Sequence, residues 1–392
     1  MTFVLACVRT PRGKGSPKGA LHAVTPVRLV GGLLAALDPR LAGALPDDVI
    51  LGCATQTGDQ GANLARSATL LAGWNVAIPG VTINRFCASG LDAINLGDAR
   101  VRAGDASLIV AGGVESVSRV PTFSDHGPLY ADPDVMAAAG TIHMGVAADL
   151  VATLETIDRD ACDRYATATR DKARRAHAEQ RRRSIVPVRA DDRVVLDHDE
   201  NVGYAPSTDE LAALPPLFGE LGQDAIALAR HPQLATIRHI HTRGTSPSLA
   251  DAAALVLLGD RAAADRTGLA PRARIVATAT CAGDPVTMLT AGQFALERAL
   301  AKAGLRAADL AVVEFAEAFA ALCVRLMRDL DLDHDRLNPN GGTIALGHAY
   351  GATGAVLVVD ALDELERRGA RYAAIAVSGA AGLGSAAIIE RC

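Results

Sequence analysis

Apolar and polar positions fall into the same order twice along the chain. From Val81 to Asn84 a short extended run leads to Cys87 and then to small residues. Apolar positions at helical spacing follow from Ala88 to Ala103. After a Gly-Asp break, the apolar run Ser107–Ala111 predicts a strand that ends in Gly112-Gly113. Near the other end, Gly341-Gly342 and a short run lead to His348 and Gly351-Ala352. A helical pattern then runs to about Gly369, with Asp360, Glu364 and Arg367 at helix-face spacing. The apolar run Tyr372–Val377 follows and ends in Ser378-Gly379. Each unit predicts loop, helix, strand and glycine turn, with a reactive side chain where the helix begins. This pattern predicts a duplicated α/β half. Sheets of this kind hold ligands beyond their strand ends, near helix N-termini.

A different region separates the two units, from about residue 119 to 243. It holds charged helical stretches (Asp158–Gln180, then Arg181–Arg183) and turn-rich, proline-bearing ones (Pro121–Pro133, Asp197–Pro216). It reads as an excursion from the first half and not as a third layer. Asp251–Leu258 fits either a buried helix or a strand returning to that half. Ala273–Ala279 predicts the opening strand of the second half, and Ala291–Gly304 an amphipathic helix. The expected organisation is a first half from residues 1–118 and 244–269, an insertion at 119–243, and a second half at 270–392. No low-complexity linker divides them, so one body is expected.

Composition narrows the function classes. With 392 residues, 49% hydrophobic and 21% charged, the chain can build a large core without metal or disulfide staples. A net charge of −5 and 3% aromatic residues argue against nucleic-acid partners. Apolar runs such as Ala252–Leu258 fall short of the ~20 residues that cross a membrane. The N-terminal MTFVLAC lacks the basic and apolar regions of a signal peptide. Seven scattered cysteines contain no CxxC pair, which excludes the common zinc spacings. The expected location is a reducing cytoplasm. His231, His239 and His241 fit no standard metal spacing. The basic run Arg170, Lys172, Arg174, Arg175 and Arg181–Arg183 reads as a solvated helix face, with phosphate binding as the sharper alternative.

Two residues stand out chemically. Cys87 precedes a helix, where the macrodipole and free N–H groups lower a thiol pKa from ~8.5. Its plain alternative is a buried apolar residue. His348 sits among glycines, where a neutral imidazole can take a thiol proton. Its plain alternative is a turn cap. Their matched places in two similar units favour the sharper reading: a pseudo-twofold axis brings both helix starts to one site, the Cys–His arrangement of acyl transfer.

The chain resembles the thiolases, the acetyl-CoA acetyltransferase and 3-ketoacyl-CoA thiolase group. The likeness is carried by Val8-Arg9-Thr10-Pro11 with Gly13, Asn84–Gly90, Gly112–Ser116, His143-Met144-Gly145, Glu314–Ala320, Gly341–Gly354 and Ser378–Gly384. The resemblance implies two α/β/α halves in five-layered αβαβα packing, an inserted loop domain that binds coenzyme A, and a homodimer or homotetramer. Acyl-CoA is implied as substrate, with no permanently bound cofactor and no metal. It makes Cys87 the acyl acceptor and His348 its activator. Ser378 falls where the family has its acid/base cysteine. It also assigns His143 and Met144 to the acyl pocket, Ser246 and Pro247 to the pantetheine region, Ala316 and Phe319 to the first oxyanion-hole motif, and Ala380 to the second.

Three departures bear on the chemistry. Ser378 replaces a thiol with a far weaker acid. Ala316-Glu317-Ala318-Phe319 replaces the family's Asn-Glu-Ala-Phe, losing the amide that holds a water; Glu317 reads as a water-orienting or capping neighbour. Gly379-Ala380-Ala381-Gly382 carries strain of ~1 kcal/mol or more if either alanine takes φ > 0. The leading expectation is thiolytic cleavage or formation of a 3-ketoacyl-CoA through acyl-Cys87. The departures leave open acyl transfer to a non-carbon nucleophile, thioester hydrolysis, or a degenerate coenzyme A-binding subunit.

Overall fold

The segment at 251–258, ambiguous by pattern, is a strand. Alanine and leucine favour helix in isolation, but this segment is flanked by strands on both edges, and each of its two faces is buried under helices. In the computed structural model, which describes residues 1–191 and 193–392, the strands are β1 (Phe3–Arg9), β2 (Gly13–Lys14), β3 (Asp48–Gly52), β4 (Val81–Ile83), β5 (Leu108–Ser116), β6 (Val188–Ala190), β7 (Arg193–Leu196), β8 (Ala250–Gly259), β9 (Ala273–Ala282), β10 (Val312–Phe315), β11 (Tyr372–Gly379) and β12 (Leu383–Arg391). Pairing runs in the order β10-β11-β12-β9-β1-β8-β5-β3-β4, with β2 against β8; β6 and β7 form a separate hairpin. The seam between the halves is narrow, with Phe3 opposite Arg274 and Val4 opposite Ala273.

Alternation along the strands builds the layers, because successive side chains point to opposite faces. On β8, Ala254, Val256 and Leu258 join an inner cluster with Leu91, Ile94 and Val356. Ala253, Leu255 and Leu257 join an outer one with Leu29 and Leu33. On β11, Ala373, Ile375 and Val377 face the inner cluster. Ala374 and Ala376 face a third, with Leu296 and Leu322. The inner cluster is filled by helices Ser89–Ala103 and Tyr350–Arg368, which lie between the two sheet halves. The result is helix, sheet, helix, sheet, helix: the expected five layers.

Three features of the insertion stand out, and the second corrects the expectation. Its helices Met144–Leu154 and Arg159–Ala178 pack mainly over the second half, sharing the cluster of Leu296 and Leu322. The basic run is neither a solvated face nor a phosphate comb at its key members. Arg170 is buried and donates to the carbonyls of Ala166 and Gly244, while Lys172 is buried and donates to those of His334 and Leu337. Lastly, the apolar stretch Pro133–Leu154 matches a membrane span in length and composition. It is two helices, broken at Gly140 (φ +63°), and the second is capped by His143 and packed into the core.

A buried ion cluster joins distant parts of the chain. Arg9 Nε donates to Asp360 Oδ1 at 2.8 Å and its Nη1 to Asp199 Oδ1 at 2.9 Å. Arg12 binds the same two carboxylates at 2.9 and 3.1 Å. The two arginines hold Asp199 well below the ordinary carboxylate range despite its burial. Asp199, expected from sequence to be part of a turn, is thus the keystone between the N-terminal strand and the Tyr350–Arg368 helix. Removing one charge from a buried cluster strands the others. Asp199→Asn is expected to cost about 3–5 kcal/mol, measured as a drop in the urea midpoint without a change in slope.

Candidate active site

Cys87 sits on a sharp turn between β4 and the Ser89–Ala103 helix. The side chain of Asn84 accepts the Phe86 N–H at 2.7 Å and donates to the Ala54 carbonyl at 2.8 Å. Ser89 Oγ accepts the Arg85 N–H at 2.8 Å. These bonds hold Phe86 at φ +50°, in the left-handed region, and turn the Cys87 side chain into the molecule.

The second helix start abuts this turn. A Cβ on Gly90, or on Gly113, would lie 2.5 Å from the Gly351 carbonyl oxygen, so the approach requires glycine. Glu115 stitches the contact. Its carboxylate accepts N–H groups from Ala54 (2.8 Å), Thr55 (3.2 Å) and Gly351 (2.9 Å), and the Gln60 amide at 2.7 Å. His348 precedes the second helix. Its backbone N–H donates to the Ser248 carbonyl at 2.7 Å. Its Nδ1 lies 2.8 Å from Thr353 Oγ1, leaving Nε2 as the nitrogen available to the cavity.

One cavity of about 470 Å³ is lined by Cys87, His348, Ser378, His143, Met144, Ser246, Pro247, Ala316 and Phe319. These are nine of the ten residues singled out in the sequence. The tenth, Ala380, lines a smaller cleft of about 40 Å³ that also holds Cys87 and Met144.

The electrostatics reverse one expectation. Burial, with the Glu115 carboxylate behind it, pushes the Cys87 thiol up to about 12. A backbone hydrogen bond at the turn acts in the lowering direction and is the smallest of the three influences. Burial, then Arg12, lowers His348 to about 4, so the imidazole is neutral at pH 7. At rest the pair is thiol and free base, not an ion pair.

Other expected residues serve as struts. Ser378 Oγ donates to the Leu289 carbonyl at 2.6 Å and accepts the Gly292 N–H at 3.0 Å. Its proton is already committed. Glu317 accepts from Tyr165 (2.7 Å), Thr169 (2.8 Å), Asn338 (2.9 Å) and the Ile344 N–H (2.9 Å), fixing the glycine loop before His348. His143 caps its helix through Nδ1, which accepts the Gly145 N–H at 3.0 Å, and stacks on Phe218. His241 bridges Asp149 (2.6 Å) and the Ala321 N–H (3.4 Å), with its ring against Phe319. In the final glycine turn Ala381 takes φ +56°, and Ala380 does not.

Sequence reasoning missed several lining residues. Tyr350 places its ring edge-on to His348 with centroids 5.2 Å apart, and its hydroxyl lies 3.1 Å from Thr122 Oγ1. Its place two residues after His348 is a usable signal. Thr122 and Phe218 carry none, since turn-rich stretches give no hint of what they face. Arg243, exposed at the cavity wall, has no ion-pair partner among the described residues.

Two family models cover most of the chain: the thiolase N-terminal domain matches residues 2–225 and the thiolase C-terminal domain residues 269–391. The chain belongs to the thiolase family. It is 36% identical to 3-oxoadipyl-CoA/3-oxo-5,6-dehydrosuberyl-CoA thiolase of Escherichia coli (strain K12), over 99% of both chains. It is 32% identical to 3-ketoacyl-CoA thiolase of Bacillus subtilis (strain 168), again over 99% of both. The crystal structure of the Bacillus anthracis acetyl-CoA acetyltransferase matches with a TM-score of 0.84 at 31% identity, covering 100% of this chain and 98% of that one. This thiolase is thus an acyltransferase by family.

Two measurements test this geometry. Iodoacetamide labelling of Cys87, followed by peptide mass, is expected to rise about tenfold per pH unit from 7 to 9 with no plateau near 8.5. A plateau below pH 8.5 contradicts the raised thiol. Ala381→Gly, which relieves a left-handed alanine, is expected to stabilise by about 0.5–1 kcal/mol in urea unfolding.

Proposed function

We propose that this thiolase transfers acyl groups through a Cys87 thioester, cleaving or forming a 3-ketoacyl-CoA. The observation that carries the reading is the single cavity shared by Cys87 and His348 at two abutting helix starts. In cleavage, His348 Nε2 takes the thiol proton as Sγ adds to the keto carbon. The carbon–carbon bond then breaks and the electron pair leaves on the two-carbon thioester as an enolate. That enolate needs one proton. The Ser378 hydroxyl is bound to Leu289, so the His348 imidazolium, which has just gained the proton, is its donor. The coenzyme A thiol then attacks acyl-Cys87, giving its proton to the now neutral His348; the Cys87–acyl bond breaks, the shortened acyl-CoA leaves, and His348 returns the proton to the Cys87 sulfur. Coenzyme A enters as a substrate, with Arg243 suited to its phosphates; no resident cofactor is invoked.

The division into two halves with an insertion at 119–243 belongs to the same proposal, since that insertion supplies His143 and Met144. A homodimer or homotetramer is supported by the sheet-edge strand β4 with exposed Val81, and by exposed Leu70, Leu71 and Val76 nearby. Seven free cysteines support a reducing cytoplasm.

Ser378→Ala and His348→Ala separate the roles. His348→Ala is expected to lower both Cys87 acylation, read by intact mass, and thiolysis by about 10²–10⁴-fold. Ser378→Ala is expected to keep thiolysis within about tenfold of the parent. If Ser378→Ala instead acylates normally yet cleaves no 3-ketoacyl-CoA, Ser378 is the proton donor. If an acyl-CoA leaves no adduct on Cys87 in the parent protein, the acyl-enzyme reading is wrong.

A further inference from the structure

The small cleft beside Cys87 differs in character from the larger cavity. Its walls include the rings of Phe86, Tyr130 and Tyr350, with Met144 and Thr122 between them. Phe86 and Tyr130 meet edge to face at 6.5 Å, and Phe123 lies 4.2 Å from Tyr130, so the aromatic wall is continuous. The Tyr350 and Thr122 hydroxyls are 3.1 Å apart and bond to each other. Among the described residues the cleft carries one charge, the carboxylate of Asp125, and neither lysine nor arginine lines it. Arg243, the cation on the larger cavity, is exposed and does not line this cleft, although Thr122, Phe123 and Tyr350 line both.

We propose that this cleft receives the acyl chain and selects chains that end in a neutral group, discriminating against chains that end in a carboxylate. The inference rests on the acyl-Cys87 reading and specifies its substrate class. A four-carbon acyl group on Sγ reaches along the aromatic wall. If its far end is a carboxylate, the charge leaves water for rings that offer no counter-ion, and it approaches Asp125 with like sign. A neutral group of equal length meets neither cost. Two like charges lining one cleft, partly screened near a surface, account for a discrimination of about tenfold or more. The point separates this chain from relatives named for 3-oxoadipyl-CoA, whose acyl group is acidic.

The test compares acylation of Cys87 by butanoyl-CoA and by succinyl-CoA, acyl groups of equal length, using intact mass against time on the full-length protein. The rates are measured for the parent, Asp125→Asn and Asp125→Lys. Asp125 is exposed, and thermal melts check that both variants fold. The parent is expected to acylate at least tenfold faster from butanoyl-CoA. Asp125→Asn narrows that ratio severalfold, and Asp125→Lys narrows it further or inverts it. Equal or faster acylation by succinyl-CoA in the parent overturns the inference, as does a ratio that neither substitution moves. If neither thioester leaves an adduct, the acyl-Cys87 reading fails and the inference with it. That outcome is distinct from two adducts formed at equal rates.

Discussion

The site exists because two helix starts are allowed to touch. A single methyl group at residue 90 or 113 would collide with the Gly351 carbonyl, and a larger separation would put Cys87 and His348 in different places. Glu115 makes the contact durable by taking N–H groups from both halves, Ala54 and Thr55 on one side and Gly351 on the other. Burial, and after it the same carboxylate, lifts the thiol of Cys87. Architecture therefore works against resting reactivity here. At rest the sulfur stays protonated beside a neutral His348 imidazole.

Much of this is legible in the chain itself. Cys87 and His348 stand out because each combines a reactive side chain, a helix start and nearby glycines, and because the pattern occurs twice. The five layers follow from strands that alternate between two apolar faces. What escapes is whatever depends on a distant partner. The charge spacing on Arg159–Ala178 is the same whether Arg170 and Lys172 meet water or the carbonyls of Gly244 and Leu337. The raised thiol escapes for the same reason: a helix terminus is local and readable, whereas burial under other layers and the approach of the Glu115 carboxylate are not. Segment 251–258 shows the limit of propensity, since alanine and leucine form a central strand once both faces are covered.

Ser378 illustrates how a side chain can line a cavity and still be tied to the frame around it. Lining the cavity, it nonetheless spends its donor on Leu289 and its acceptor on Gly292, tying the end of β11 to the start of the Ala291–Ala303 helix. Nearby, Ala316 offers the cavity only a methyl, and Ala381 keeps the left-handed turn at some strain. His348 lines the same cavity with its ring oriented by Thr353 and edged by Tyr350.

The arginine–aspartate cluster has a consequence for biosynthesis. Arg9 and Asp360 are 351 positions apart, so on the ribosome the first waits for the second. At about 5–20 residues per second the delay is ~20–70 s. Asp199 reaches both guanidinium groups earlier, 190 positions after Arg9, and the second carboxylate follows only with Asp360. The cluster is therefore completed only when nearly the whole polypeptide has emerged.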